Sequence, residues 1–273
     1  MGLHRMAYNE YGDPDNPRVL VCVHGLSRAK EDFTDLANAM QHHYRVVCPD
    51  VPGRGDSDWL PDPALYQNPI YVADMVTLLA RVNAQSVHWF GTSMGGLIGM
   101  LLAAQKGTPI ERMVLNDVGP VVTGISLDRI GSYVGKTMTF SDYAQAAAYV
   151  RAASASFGAH TDAQWRQFID VVIKKTDSGF KYHYDPSIAR SLHLPEGKHH
   201  DDVDLWQFYD AIKCPVLAVR GEQSDLLRAD THAEMATRGP RAELATIANV
   251  GHAPTFMSAD QIDIASEFLL RGA

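Results

Sequence analysis

The stretch "GTSMGG", residues 91–96, places Ser93 between Gly91 and Gly95, with Gly96 following. A serine hydroxyl becomes a nucleophile only when a base removes its proton, so the serine must be presented to such a base. Glycines at −2 and +2 allow a turn so tight that neighbouring β-carbons would collide. A glycine-rich turn without chemistry has the same spacing, so the flanks decide. An apolar, β-type run, "SVHWF", leads into Ser93, and "MGGLIGMLLAA" leads out with helical spacing of its apolar residues. Strand, sharp turn, then helix is the setting of a nucleophile elbow. It also aims the positive end of a helix at the serine.

The base is sought among 12 histidines. His42, His43, His199 and His200 stand in polar stretches and read as solvated, and His88 lies inside a strand pattern. The run His199–His200–Asp201–Asp202 has metal-ligand residue types, but a polar surface loop explains it better, and no metal is expected. His252, in "NVGHAP", follows the last strand pattern and precedes the last helix, with Gly251 freeing the backbone. It is the expected base. A carboxylate must orient it, and two are placed at strand ends: Asp225 in "RGEQSDLL" and Asp117 in "LNDVGP". Asp117 also reads as a hydrogen-bonded strand-end residue beside Asn116. An oxyanion needs two N–H donors: the amide of Met94, next to Ser93, and that of Leu26 in "VHGLSR". In the same loop His24 is expected to order the backbone. Arg28 is a candidate for an anionic substrate group, although a solvated loop arginine is the simpler reading.

Six short apolar runs could position these groups: 18–25, 44–51, 86–91, 112–118, 214–222 and 242–250. Most are continuous rather than alternating, as in parallel strands covered on both faces. The opening "HRMAYNEYG" alternates and suits an antiparallel edge. Helical patterns separate the runs, at Phe33–Met40, Val72–Leu79 and from Met94 onward. The last helix opens on Ser258 and Gln261, the spacing of a capping box. The succession predicts a doubly wound, mostly parallel α/β sheet. Between 121 and 212 the rhythm changes to helical stretches at 141–157, 161–175 (with a capping box, Thr161 and Gln164) and 199–212. This segment is expected to be a helical cap between core segments 1–120 and 213–273. Trp206, Phe208 and Tyr209 are its candidate pocket walls, against the plainer reading that they are core.

A formal net charge of −8, without a Lys/Arg block, argues against a nucleic-acid surface. The longest apolar run, near Leu97–Ala104, is too short to span a bilayer, and the N-terminus has no apolar stretch of the signal-peptide kind. Cys22, Cys48 and Cys214 are an odd, scattered set, which fits reduced thiols and a cytoplasmic protein.

Taken in order, "HGLS" (24–27), "PDVPGRGDSD" (49–58), "GTSMGG" (91–96), "GEQSD" (221–225) and "GHAP" (251–254) resemble the α/β-hydrolase family. The likeness is greatest to its small capped esterases and C–C hydrolases, and it covers nearly the whole chain. It implies a cofactor-independent hydrolase with its acid between serine and histidine in the sequence, and family placement favours Asp225. Relatives that cleave haloalkanes or epoxides carry aspartate at the elbow, so Ser93 points to carboxylic esters and an acyl-enzyme. C–C hydrolysis of a β-diketone-like substrate, perhydrolysis, and ligand sensing on a hydrolase scaffold are the alternatives. A small acyl substrate is the expected partner; the oligomeric state is not legible.

Overall fold

The computed structural model describes residues 2–271. Five strands open the chain: β1 (Tyr8–Tyr11), β2 (Arg18–Val23), β3 (Arg45–Pro49), β4 (Ser86–Thr92) and β5 (Ile110–Asn116). Between them lie helices α1 (Thr34–Met40), α2 (Asn68–Arg81) and α3 (Met94–Ala103). The next hundred residues carry short strands β6 (Val121–Val122), β7 (Thr139–Phe140), β8 (Ile173–Thr176), β9 (Gly179–Tyr182) and β10 (Val203–Asp204). Helices α4 (Gly124–Gly131), α5 (Tyr143–Ala153), α6 (Asp162–Val172) and α7 (Trp206–Tyr209) are interspersed with them. The chain then returns with β11 (Val216–Gly221), α8 (Ala229–Met235), β12 (Glu243–Ile247) and α9 (Ala259–Leu269).

The main sheet has the order β1-β3-β2-β4-β5-β11-β12, parallel except for antiparallel β1 at the edge. Its continuous apolar strands are divided between two cores. Val19, Val21 and Val23 of β2 face Trp89, Met75 and Ile98, while Leu20 and Cys22 face Phe90, Leu36 and Phe268. Period-2 alternation therefore survives inside an unbroken apolar run, because both faces are covered by helices. The doubly wound sheet expected from the sequence is the observed one.

The segment between β5 and β11 departs from expectation in detail. Helices α5 and α6 form within the stretches that helical periodicity marked, and the Thr161–Gln164 capping box is made. The helix expected to run to 175 stops at Val172, where Ile173–Thr176 turns into strand β8. The segment also holds an antiparallel sheet, β7-β9-β8, whose exposed lysines and short strands gave no buried-strand pattern. The helix expected over 199–212 shrinks to α7, because Val203 and Asp204 pair as a strand with Val122 and Val121. At the last helix no capping box forms: the Gln261 side-chain oxygen accepts from the Phe256 amide instead. No helix among the described residues is long and apolar enough to cross a membrane.

Strand β4 also buries a titrating group with a consequence for stability. The Tyr44 hydroxyl donates to the Leu269 carbonyl and so accepts from Nδ1 of His88. Burial, reinforced by the positive charge of Arg112, lowers the His88 pKa to about 4. The folded state therefore keeps His88 neutral while the unfolded chain takes up a proton below about pH 6.5. Stability from this residue is complete above that pH and is lost as pH falls toward 4. Urea midpoints measured between pH 7.5 and 4.5 should fall, and His88→Gln should flatten that slope; an unchanged slope would count against it.

Candidate active site

Ser93 joins β4 to α3 with φ 51° and ψ −115°, a conformation that side-chain-bearing residues adopt only under constraint. Its N–H donates to the Asn116 carbonyl of the neighbouring strand at 2.9 Å. Its own carbonyl accepts from Gly96 and Leu97, starting the helix. The flanking glycines are explained by distance. A Cβ at Gly91 would lie 2.4 Å from the Gly95 carbonyl oxygen, and one at Gly95 would lie 2.0 Å from that of Val23. Turn and helix pack backbone to backbone, and only glycine fits.

His252 lies in the loop after β12, its side chain largely buried. Two contacts fix that loop: Asn116 Nδ2 donates to the Pro254 carbonyl at 2.8 Å, and the Gly251 amide donates to the Ser156 carbonyl at 2.5 Å. The imidazole spans the site, with Nε2 2.9 Å from Ser93 Oγ and Nδ1 2.7 Å from a carboxylate oxygen. That carboxylate belongs to Asp117.

Here the structure corrects the sequence reading, which favoured Asp225. Asp117 follows β5, is fully buried, and has φ 53°. It accepts from His252, from the Gly221 amide at 2.8 Å, and from Ser224 Oγ at 2.6 Å. A buried carboxylate with three donors is satisfied in the charged form and fixes the imidazole with its proton on Nδ1. Asp225 is turned away. Ser224 Oγ accepts from the amides of Leu226 and Leu227, and the tight turn this closes carries Asp225 to the surface. There it forms a two-point ion pair with Arg129 of α4, at 2.5 and 2.8 Å. Partial burial would raise the Asp225 pKa, but the Arg129 pair outweighs it and holds the carboxyl below its ordinary value.

The two expected amide donors flank Ser93. Met94 opens α3, so its N–H has no acceptor within the helix. Among the described residues, neither its amide nor that of Leu26 donates to another backbone carbonyl. Both residues line the cavity that opens at Ser93. His24 orders the Leu26 loop: Nδ1 donates to the Gly25 carbonyl at 2.7 Å, and Nε2 accepts from the Val51 amide at 2.9 Å. Burial lowers its pKa, keeping it neutral in that role.

Arg28 is not the solvated loop residue of the simpler reading. It pairs with Asp32 through Nε at 2.8 Å, donates to the Phe168 carbonyl and lies 3.5 Å over the Phe168 ring. It thus ties the core loop to α6. Trp206, Phe208 and Tyr209 are not walls of the cavities at Ser93. Trp206 and Tyr209 are buried edge to face, with Arg238 stacked on Trp206 and the Tyr209 hydroxyl bonded to the Met235 carbonyl. The plainer reading, core, is the observed one. The walls come instead from Tyr133, Phe157 and Phe168 on one side of Ser93, from Leu97, Leu127, Ile188 and Leu205 on the other, and from Ile130 on both. His199 is exposed as expected, whereas His200 is largely buried; both bond to Asp128. All three cysteines are free, Cys22 and Cys48 buried.

Strand order, elbow and relay together restrict the families that fit, and residues 18–257 match the sequence model of the alpha/beta hydrolase fold. The chain belongs to that family. It is a hydrolase. Over 273 aligned residues it is 50% identical to a 3-hydroxybutyrate-oligomer hydrolase of Cupriavidus necator, covering 98% of this chain and 93% of that one. It is 26% identical to an N-formylmaleamate deformylase of Pseudomonas putida, over 91% and 86% of the two chains. An alpha/beta hydrolase structure from Novosphingobium aromaticivorans superposes with a TM-score of 0.85 at 37% identity, covering 99% of both chains.

Proposed function

We propose that this hydrolase cleaves carboxylic esters through an acyl-enzyme on Ser93, and that its substrates are small hydroxyacyl esters such as 3-hydroxybutyrate oligomers. The observation that carries the mechanism is the continuous relay Ser93–His252–Asp117, with contacts of 2.9 and 2.7 Å. The substrate class rests on the 50% identity to the Cupriavidus necator protein.

Nε2 of His252 takes the Ser93 proton as Oγ attacks the acyl carbon. Asp117, accepting from Nδ1, supports the imidazolium that forms. The carbonyl oxygen, now negative, accepts from the amides of Leu26 and Met94, and the positive end of α3 adds to the same stabilisation. The tetrahedral species collapses by breaking the ester C–O bond, and His252 returns the proton to the departing alcohol oxygen. Water, deprotonated by His252, repeats the sequence on the acyl-enzyme and releases the acid. Every proton and electron pair is supplied by substrate, water and these residues, so the sequence needs no cofactor. The acyl chain has a matching site: a cavity of about 460 Å³ beside Ser93 and Met94, lined by Leu97, Val118, Val122 and Leu127 among others. A reducing cytoplasmic setting accords with the three free thiols.

A fluorophosphonate tests this reading. One equivalent should attach, mass mapping should place it on Ser93, and rapid mixing with a p-nitrophenyl ester should give a burst near one nitrophenolate per chain. An unlabelled Ser93 in active protein would overturn the mechanism.

A further inference from the structure

One cavity opens at Ser93 and another at His252, and their walls differ in charge. The 460 Å³ cavity on the Met94 side has no ionisable acid or base among its lining side chains apart from the phenols of Tyr66 and Tyr71. On the His252 side a small cavity of about 70 Å³ is lined by Arg28, Arg129 and Lys136, and by no Asp or Glu. Tyr149, Tyr182 and Tyr184 complete its polar wall. It shares Ser27, Arg28, Tyr133 and His252 with a third pocket, lined also by Ser93 and Asp32, which joins it to the nucleophile. Three cations around one small cavity stand out in a chain of net charge −8.

Two of these cations have partners, and the third does not. Arg28 is held by Asp32, and Arg129 by Asp225. The Asp225 pair uses Nε and one terminal nitrogen of Arg129, so the other terminal nitrogen, with two N–H donors, lies outside it. Lys136 has no carboxylate within 4.0 Å among the described residues. The position relative to the relay sets which half of an ester meets this charge. His252 returns its proton to the alcohol oxygen, so the alcohol half leaves on the His252 side, and the acyl half occupies the apolar side.

We infer that the Arg129–Lys136 cavity binds a carboxylate carried by the alcohol half of the ester, making the enzyme selective for esters of hydroxycarboxylic acids. This rests on the serine-esterase reading above and adds a direction to it. In a linear oligoester of a hydroxy acid, only the unit at the carboxyl end offers both an esterified hydroxyl and a free carboxylate. Ser93 Oγ bonds to the penultimate unit's acyl carbon, the C–O bond to the terminal unit breaks, and its oxygen takes the proton from His252. The terminal hydroxy acid leaves with its carboxylate unchanged. One monomer is released from the carboxyl end per turnover.

The test compares the linear 3-hydroxybutyrate dimer as free acid and as its methyl ester, in wild type, Arg129→Gln and Lys136→Gln. Lys136 is exposed and is changed without touching the Asp225 pair, so it remains informative if Arg129→Gln folds poorly. Wild type should favour the free acid by roughly tenfold or more in kcat/KM, the scale of one charge-assisted contact. Each variant should move that ratio toward one, mainly through KM. A trimer labelled in its carboxyl-terminal unit should release labelled monomer first. Equal kcat/KM for acid and ester in wild type, or a ratio unmoved in both variants, would overturn the inference. Turnover of p-nitrophenyl acetate by the same wild-type preparation separates the two readings. If it persists while the ratio is one, only the carboxylate site fails; if it is absent, the esterase mechanism fails with it.

Discussion

Asp117→Asn will lower kcat for a short ester by about 10⁴, the scale such a change has in a serine relay, while leaving the protein folded. The reason is a tautomer. Asp117 accepts from the Gly221 amide at one oxygen and from Ser224 and His252 at the other. An asparagine placed there keeps its oxygen on the Gly221 amide and turns its NH₂ toward His252. Nδ1 must then accept, the ring proton moves to Nε2, and the nitrogen facing Ser93 can no longer take a proton. The stability cost is that of weakening a buried hydrogen bond, about 1–3 kcal/mol. Asp225→Asn gives the opposite pattern. It removes a half-exposed ion pair with Arg129, worth about 0–1 kcal/mol, and should reduce kcat on the same ester by less than about tenfold. Kinetics at one pH, with urea midpoints for both variants, separate the two aspartates. A dead, folded Asp225→Asn beside an active Asp117→Asn would reverse the assignment.

That pair of aspartates also marks the limit of what the sequence discloses. The elbow was legible because its constraints are local: strand, glycine, serine, glycine and helix are contiguous, and each glycine answers a backbone contact made within the turn or with the adjoining strand. His252 was legible because the end of a last strand before a last helix defines a place at the sheet edge. The acid was not, because both candidates end strands that reach that edge. The choice turns on a tight turn at Ser224–Leu227 and on an arginine about a hundred residues upstream, in α4. Nothing local records that Ser224 would donate to Asp117 or that Arg129 would draw Asp225 outward. The pocket walls failed for a related reason. An aromatic cluster at helical spacing announces burial and says nothing of which cavity it faces. Trp206 and Tyr209 are buried, against Arg238 and Met235 rather than beside Ser93. The residues that do face Ser93 from α4, α6 and their connections, such as Ile130 and Phe168, carry no pattern that distinguishes a wall from a core.

Ser93→Ala and Ser93→Gly will both lose about 10⁶ in kcat, since neither retains an oxygen to attack the acyl carbon and His252 has no proton to take. The two will differ in stability, and the difference measures the elbow. At φ 51° and ψ −115° a β-carbon is held in a strained conformation, with a cost of about 1–3 kcal/mol that alanine keeps and glycine removes. Glycine gives back about 0.4–1 kcal/mol through the greater freedom of its unfolded chain. On balance Ser93→Gly should be more stable than Ser93→Ala by about 1 kcal/mol, read as a higher urea midpoint at unchanged m-value. Loss of the bond to His252 is common to both variants and cancels. A glycine variant no more stable than the alanine one would mean that the Gly91 and Gly95 contacts already relieve the turn. In that case the exposed hydroxyl would be held without strain, and its reactivity would rest on His252 and Asp117 alone.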